Sequence, residues 1–571
     1  MPRVLKRRVA VSTLPGLSPL LSRLYVGRGV VSKDEVDHSL KNLLPPDLLK
    51  GMGAAVELLA GLIRQQARIL IIGDFDADGA TSSVLMVHGL RSLGAEQVDY
   101  LVPNRFEYGY GLTPEIVEVA LQRNPDLIVT VDNGISSHEG VDFARENGIK
   151  TLITDHHLPG NQVPKADAIL NPNQQGCDFP SKNLAGVGVA FYLLSGVRRE
   201  LRESHWFEHR SEPNMADYLD LVALGTIADV VPMDYNNRIM VQEGIRRIRA
   251  GRLRPGLKAL SALSGNRIQT ITSSDLAFGV APRVNAAGRL EDISLGIECL
   301  LADDENRAQE LASRLDKLNL ERREIENEMK QQALNFLSAL KLTKDTEEKV
   351  GICLYDEGWH QGVVGVVASR IKDEFHRPVV AFAKVSDSEL KGSARSISGL
   401  HMRDVFETIA ARNPDLLQKF GGHAMAAGLT LHPANLTTFA EQFDIEAKRW
   451  LTEEDLTQTV ITDGNLGEDY SISLAREIGQ ICPWGQGFPE PLFDDDFEIV
   501  DQRIVGGRHL KMKLRPLDGA DSIDAIAFNH DRLVEGRVKR IAYRLDVNEY
   551  RGMESLQLIV DCVDIKLDQE R

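Results

Sequence analysis

The chain has 571 residues, 43% hydrophobic and 26% charged, with a formal net charge of −17. That length exceeds a single hydrophobic core and predicts three or four globular domains, while the absence of any run of ~18 uncharged apolar residues excludes a membrane helix. Acidic balance excludes a uniformly basic nucleic-acid coat, although a binding channel needs only a local basic lining, for which 245–255, 283–289 and 506–516 are candidates.

The N-terminal segment, 1–45, carries early basic residues with no apolar stretch behind them, so it does not read as an export signal and a cytoplasmic protein is expected. Five cysteines, odd in number and scattered without a C-x-x-C pair, exclude a disulfide framework or zinc ribbon and predict reduced thiols. From about 60 to 230, short β-branched runs alternate with helical patterns: 67–73, 98–103, 126–131, 150–154 and 167–172 as strands, 79–94 and 113–124 as helices. Strand–helix–strand order predicts a mostly parallel sheet, whose buried strands read as continuous Val/Ile/Leu. Gly- and Pro-free residues 303–340 predict one long charged helix between domains. A second α/β block starts at about 349, and alternating strands with Gly turns after 455 predict a small barrel. The fold class is α/β. Its expected parts are a parallel-sheet domain (46–300), a connecting helix (301–345), a second α/β domain (346–445) and a β-rich, OB-fold-like domain (455–571).

The first strand ends in "DFDADG". Asp74, Asp76 and Asp78 have the spacing of an EF-hand loop, but its twelfth position is Leu85 rather than Glu, and a strand precedes it. A catalytic metal site at the carboxyl edge of a parallel sheet predicts further ligands after other strands. They are there: Asp132 in "VDNG", Asp155, His156 and His157 in "DHH", and Asp229 after an apolar helical run. One Asp after a strand is usually a helix cap or turn former; four clusters in four corresponding places point to metal. Carboxylates with imidazole and no thiolate suit Mn2+ or Mg2+, and so many acids predict two ions. Two such ions are the usual apparatus for hydrolysing phosphoric esters.

"DFDADG", "VDNG", "DHH" and "GTIADVVP" resemble the four motifs of the DHH phosphoesterase superfamily. "GGHAMAAG" (421–428) is similar to the glycine-rich signature of the DHHA1 domain. With "PNRFEYGYG", "APRVNAAGRL", "KGSARS" and "PWGQGFPEPLF", the order resembles the superfamily's RecJ branch over roughly 45–571, which implies a 5′→3′ exonuclease on single-stranded DNA in repair and recombination. The resemblance implies Asp78, Asp132, His156 and Asp229 for one metal, and Asp76 with shared Asp132 and Asp74 for the second. It implies His157 facing the scissile phosphate and Asp155 orienting the histidines. Some relatives have His where this chain has Ile72, which implies a more weakly held second ion. Arg105, Ser393 and Arg395 match positions implied to anchor a 5′ phosphate, joined by Gly422 and His423; Arg283, Asn285 and Arg289 suit contacts along a DNA backbone. Trp484 and Phe488 are expected in the barrel core rather than stacked on bases. Single-strand-binding protein and a RecQ-type helicase are implied partners, and no dimer seam argues for a monomer. Two other classes fit part of the pattern: a DHH–DHHA1 phosphodiesterase acting on oligoribonucleotides or cyclic dinucleotides, and a non-catalytic DNA-binding scaffold that has lost its ligands.

Overall fold

A computed structural model of the chain describes residues 3–103, 111–341, 349–467, 469–517, 519, 521–550, 552–563 and 566–567. Two compact units emerge, the first built from Val9–Asn319 with Ser471–Pro491, the second from the remainder.

The first unit is organised by five parallel strands: β1 (Ile69–Gly73), β2 (Val98–Leu101), β3 (Leu127–Val131), β4 (Lys150–Thr154) and β5 (Ala168–Leu170), in the order β2-β1-β3-β4-β5. Every residue of β1 and β3 is buried, which is why both read as unbroken apolar runs. Leu70, Ile72, Ile128 and Ile153 pack one face against Ile116 and Val117 of α2 (Pro114–Leu121) and Val141 of α3 (His138–Glu146). The helices that matter for the site are α1 (Ala77–Ser92), α4 (Gly186–Glu203), α5 (Leu219–Ala228) and α6 (Ala281–Leu290). The long helix α7 spans Glu305–Lys341, and the boundary between units falls within it. Among the described residues no helix is long and apolar enough to cross a membrane.

Trp484 and Phe488 depart from expectation. They are buried, but in this unit rather than in the barrel. Their rings stack at 5.6 Å, with the Arg28 guanidinium 5.1 Å over Trp484 and that of Arg238 4.2 Å over Phe488. Arginine planes already cover both aromatic faces, which also removes them as base-stacking candidates.

In the second unit, β6 (Ile352–Tyr355) pairs parallel with β7 (Val379–Ser386). The sheet then continues antiparallel through β8 (Glu389–Arg395), β10 (Ala426–Leu431) and β9 (Lys419–Gly422). Phe382, Phe406, Phe439 and Phe443 fill its core. Five strands, β11 (Phe493–Val505), β12 (His509–Pro516), β13 (Ile523–Ala527), β14 (Val538–Tyr550) and β15 (Met553–Val563), close a barrel, which removes open sheet edges. The N-terminal strand Arg3–Arg7 pairs parallel with Gln458–Thr462, and Arg7 forms a 2.6 Å ion pair with buried Asp494 of β11. This N-terminal strand is therefore part of the second unit. All five cysteines are free thiols.

Candidate metal centre

Strand register assembles the site. Gly73 lies beside Val131, and Val131 beside Thr154. The next residues, Asp74, Asp132 and Asp155, therefore leave three adjacent strands on one rung, with strands ~4.8 Å apart. The chain order reverses between β1 and β3, and the crevice at such a switch point is where α/β sheets bind ligands.

Each side chain is held locally. Asp76 caps α1, its Oδ1 accepting from the Asp78 and Gly79 amides at 2.9 and 3.1 Å. Asp78 accepts from the Gly186 amide at 2.6 Å and the Val187 amide at 3.0 Å, so it is the anion at the N-terminus of α4. Gly186 is obligatory at this contact: a Cβ there would lie 2.6 Å from that of Asp132. Asp132 itself has φ +62°, a left-handed backbone that Asp tolerates better than most residues. Buried Asp155 accepts from the amides of Ile135, His156 and His157 and from His157 Nδ1 at 2.8 Å. His156 Nε2 lies 3.1 Å from Asp132 Oδ1 and 3.4 Å from Asp229 Oδ2, Asp229 arriving at the C-terminus of α5.

Three sets of donor atoms converge within 4.8 Å: Asp78, His156 and Asp229; Asp132, His156 and His157; Asp74, Asp76 and Asp132. The electrostatics fit divalent cations. Burial, then the Asp76 charge, push the Asp78 carboxyl up to about 7. Burial and the neighbouring aspartates raise Asp132 and Asp229 well above the usual carboxylate range. Bare, the cluster repels itself; a cation between the oxygens reverses that penalty. Burial works against a charged His157, but its bond to Asp155 outweighs this and raises its pKa, while the same contact lowers that of Asp155.

Asp78 titrates at 3.8 unfolded and about 7 folded, so across that window the folded state holds more protons and stability falls as pH rises. His157, also raised, loses its contribution in the same direction. Depressed histidines elsewhere, His38, His88 and His376, act in the opposite direction, so the cluster is isolated by difference: the gap in melting point between saturating Mn2+ and chelator is expected to be wider at pH 8 than at pH 6, by roughly 2–4 °C per kcal/mol. A gap that stays level or narrows over this range would contradict the electrostatic account.

The other sequence-predicted residues sort differently. Arg283 is 7% exposed, bonded to Asp316 at 2.8 Å and to the Leu263 and Gly279 carbonyls, so it is a structural residue and not a DNA contact. Asn285 Oδ1 accepts from the Ala77 amide at 2.8 Å, which fixes the "DFDADG" turn instead of reaching outward. Arg289 is half-buried on α6. Arg105 lies outside the described residues. Ser393 and Arg395 lie on β8, with Arg395 Nη1 3.1 Å from Ser393 Oγ. A Cβ on Gly365, in the first turn of α8 (Val364–Phe375), would come within 3.0 Å of both side chains, so they sit against a helix N-terminus. The hairpin that carries Gly422 and His423 runs beside them, with Ala426 opposite Arg395. Ile72 is fully buried in the sheet core. Sequence reading missed Gly186 and three asparagines, Asn133, Asn171 and Asn173, that bond the ligand-bearing turns.

Residues 68–226 match the model of the DHH family, N-terminal domain, 348–449 the DHHA1 domain, and 463–561 the RecJ OB domain. The single-stranded-DNA-specific exonuclease RecJ of Salmonella typhimurium is 52% identical over 569 residues, covering 98% of each chain, and that of Escherichia coli 51% over 567 residues, again 98% of each. A crystal structure of RecJ from Thermus thermophilus in complex with Mn2+ matches 100% of this chain and 80% of its own, with a TM-score of 0.81 and 31% identity. A second from the same organism, in complex with Mg2+, has a TM-score of 0.75 at 29% identity, over 100% of this chain and 79% of its own.

Proposed function

The chain belongs to the RecJ family of single-stranded-DNA-specific exonucleases, and from that premise we propose that it digests single-stranded DNA in the 5′→3′ direction, releasing nucleotides. It is an exonuclease that works with Mn2+ or Mg2+. The observation that carries the site assignment is the convergence of Asp78, His156 and Asp229, and of Asp74, Asp76 and Asp132, to within 4.8 Å.

Asp74, Asp76, Asp78, Asp132, His156 and Asp229 would hold the metal. When bound, such ions lower the pKa of an attacking water and neutralise charge building on the phosphate. His157, whose charged form is favoured by its bond to Asp155, would present the Nε2 edge to a phosphate oxygen. Asp155 keeps Nδ1 as the bonded edge and holds the turn through three backbone amides. Ser393 and Arg395, at the N-terminus of α8, suit a terminal 5′ phosphate through a hydroxyl, a guanidinium fork and the helix amides.

The barrel, matched as an OB domain, favours a polymeric single strand over an oligoribonucleotide or cyclic dinucleotide, and the intact ligand set argues against a scaffold. Family resemblance supports a role in repair and recombination, a cytoplasmic monomer, and single-strand-binding protein with a RecQ-type helicase as partners. The direct test is Mn2+-dependent release of mononucleotides from 5′-labelled single-stranded DNA; a label that persists while 3′-labelled DNA is consumed would reverse the polarity. Arg395→Ala should narrow the preference for 5′-phosphate over 5′-hydroxyl ends by ~10–100-fold, the scale of one hydrogen bond to a charged group. An unchanged preference places the anchor elsewhere.

A further inference from the structure

A parallel sheet leaves its last carbonyls and amides without ladder partners, and buried backbone groups must find others. Around the metal cluster asparagine carboxamides take that role. Asn133 Nδ2 donates to the carbonyls of Ile72 at 3.1 Å and Val131 at 2.9 Å, stapling β1 to β3 at the point where Asp74 and Asp132 leave them. Asn171 follows β5 directly, and its Nδ2 donates to the His157 carbonyl at 2.8 Å. Asn173 Nδ2 donates to the His156 carbonyl at 2.6 Å and the Lys182 carbonyl at 3.2 Å, while its amide is held by Asn171 Oδ1 at 2.7 Å. Asn285 closes the set on the Ala77 amide.

We propose that Asn133, Asn171, Asn173 and Asn285 are positioning residues for the three metal-binding turns, Asn133 fixing the first to the second, Asn171 and Asn173 anchoring the histidine turn to the segment after β5, and Asn285 anchoring the first turn to α6, and so set the site's affinity for its cation. The inference rests on the reading that the cluster holds Mn2+ or Mg2+. Carboxamide is the side chain that suits the task. It donates and accepts at once, and it is neutral. Lys or Arg would ion-pair with the carboxylates and compete with the cation; Asp in place of Asn133, Asn171 or Asn173 would face the same carbonyls with no proton to donate. Outer partners that orient ligands in this way typically govern metal affinity by ~10–100-fold.

The test uses the full-length protein and Mn2+ alone, with binding followed by electron paramagnetic resonance and no DNA present. Asn133→Ala and Asn173→Ala should each weaken Mn2+ binding by about tenfold. In the nuclease assay they should lower kcat while leaving KM for single-stranded DNA near the parent value, and the melting point in chelator serves as the folding control. A purely structural role would lower melting in chelator and leave Mn2+ affinity unmoved. Asn173→Asp supplies the sign: if the site merely needed more negative charge it would bind Mn2+ more tightly, whereas lost geometry makes it bind more weakly. Should Asn133→Ala or Asn173→Ala unfold, Asn285→Ala removes a single hydrogen bond at a half-buried position and carries the same expectation. Parent-like Mn2+ affinity in the folded alanine variants, or tighter binding by Asn173→Asp, overturns the proposal. A parent that binds no Mn2+ overturns the metal reading along with it.

Discussion

Asp132→Asn is expected to lower turnover by about 10³-fold or more, at least the range seen for losing one electrostatic donor at a reacting phosphate or carbonyl, while raising the melting point of the chelated protein. The two signs have one cause. Asp132 belongs to two of the three donor sets, so removing its charge weakens both, and 10³-fold corresponds to about 4 kcal/mol. In chelator the same carboxylate is a liability, because burial and four neighbouring aspartates raise its pKa. Its pKa is higher folded than unfolded, so at pH 8 it destabilises the folded state, and the neutral amide should melt higher. Asn is chosen over Ala because φ at this position is +62° and Asn enters the left-handed region readily. Nuclease assays with Mn2+ and melting in chelator check both halves. Parent-like turnover would remove Asp132 from the centre; a lower chelated melting point would mean that its charge is compensated by something other than metal.

That residue was legible because parallel strands advertise themselves. Residues 69–73 and 127–131 are buried on both faces, so an acid on the next position interrupts an apolar run and stands out. The same logic exposed Asp74 and Asp155. Asn171 and Asn173 follow a strand in the same manner, but an uncharged residue after a strand also describes any turn, so only their bonds to the histidine carbonyls reveal them. Arg283 fails in the opposite direction: a basic side chain looks like a phosphate contact until Asp316 is found beside it. The N-terminal strand Arg3–Arg7 was invisible because its partner, Gln458–Thr462, lies most of the chain away. No local signal marks such a pairing. For the same reason the segment 471–491, which the chain order places just before the barrel, gave no sign that it packs with Val9–Asn319.

Gly186→Ala carries the second large effect, at a position that holds no ligand. The added methyl would meet Asp132 at 2.6 Å from its Cβ and 2.9 Å from its Cα. These atoms belong to a residue whose amide donates to the Thr154 carbonyl of β4, so the first turn of α4 must yield. The Gly186 and Val187 amides both point at Asp78, and both bonds favour its charged form. Displacing them weakens Asp78 as a ligand at the moment Asp132 is pushed aside. Overpacking of this kind costs about 1–3 kcal/mol of stability, which a domain of this size tolerates. Mn2+ affinity is expected to fall by more than ~10-fold and turnover by ~10²–10³-fold, as for a lost electrostatic donor. Gly188→Ala is the control. Further along α4, its added methyl meets the Leu184 side chain at 3.2 Å, which can give way, so binding and turnover should stay near the parent. If Gly186→Ala matches that control in both measurements, the close approach of α4 to Asp132 does not exist in solution, and the hold of the α4 amides on Asp78 goes with it.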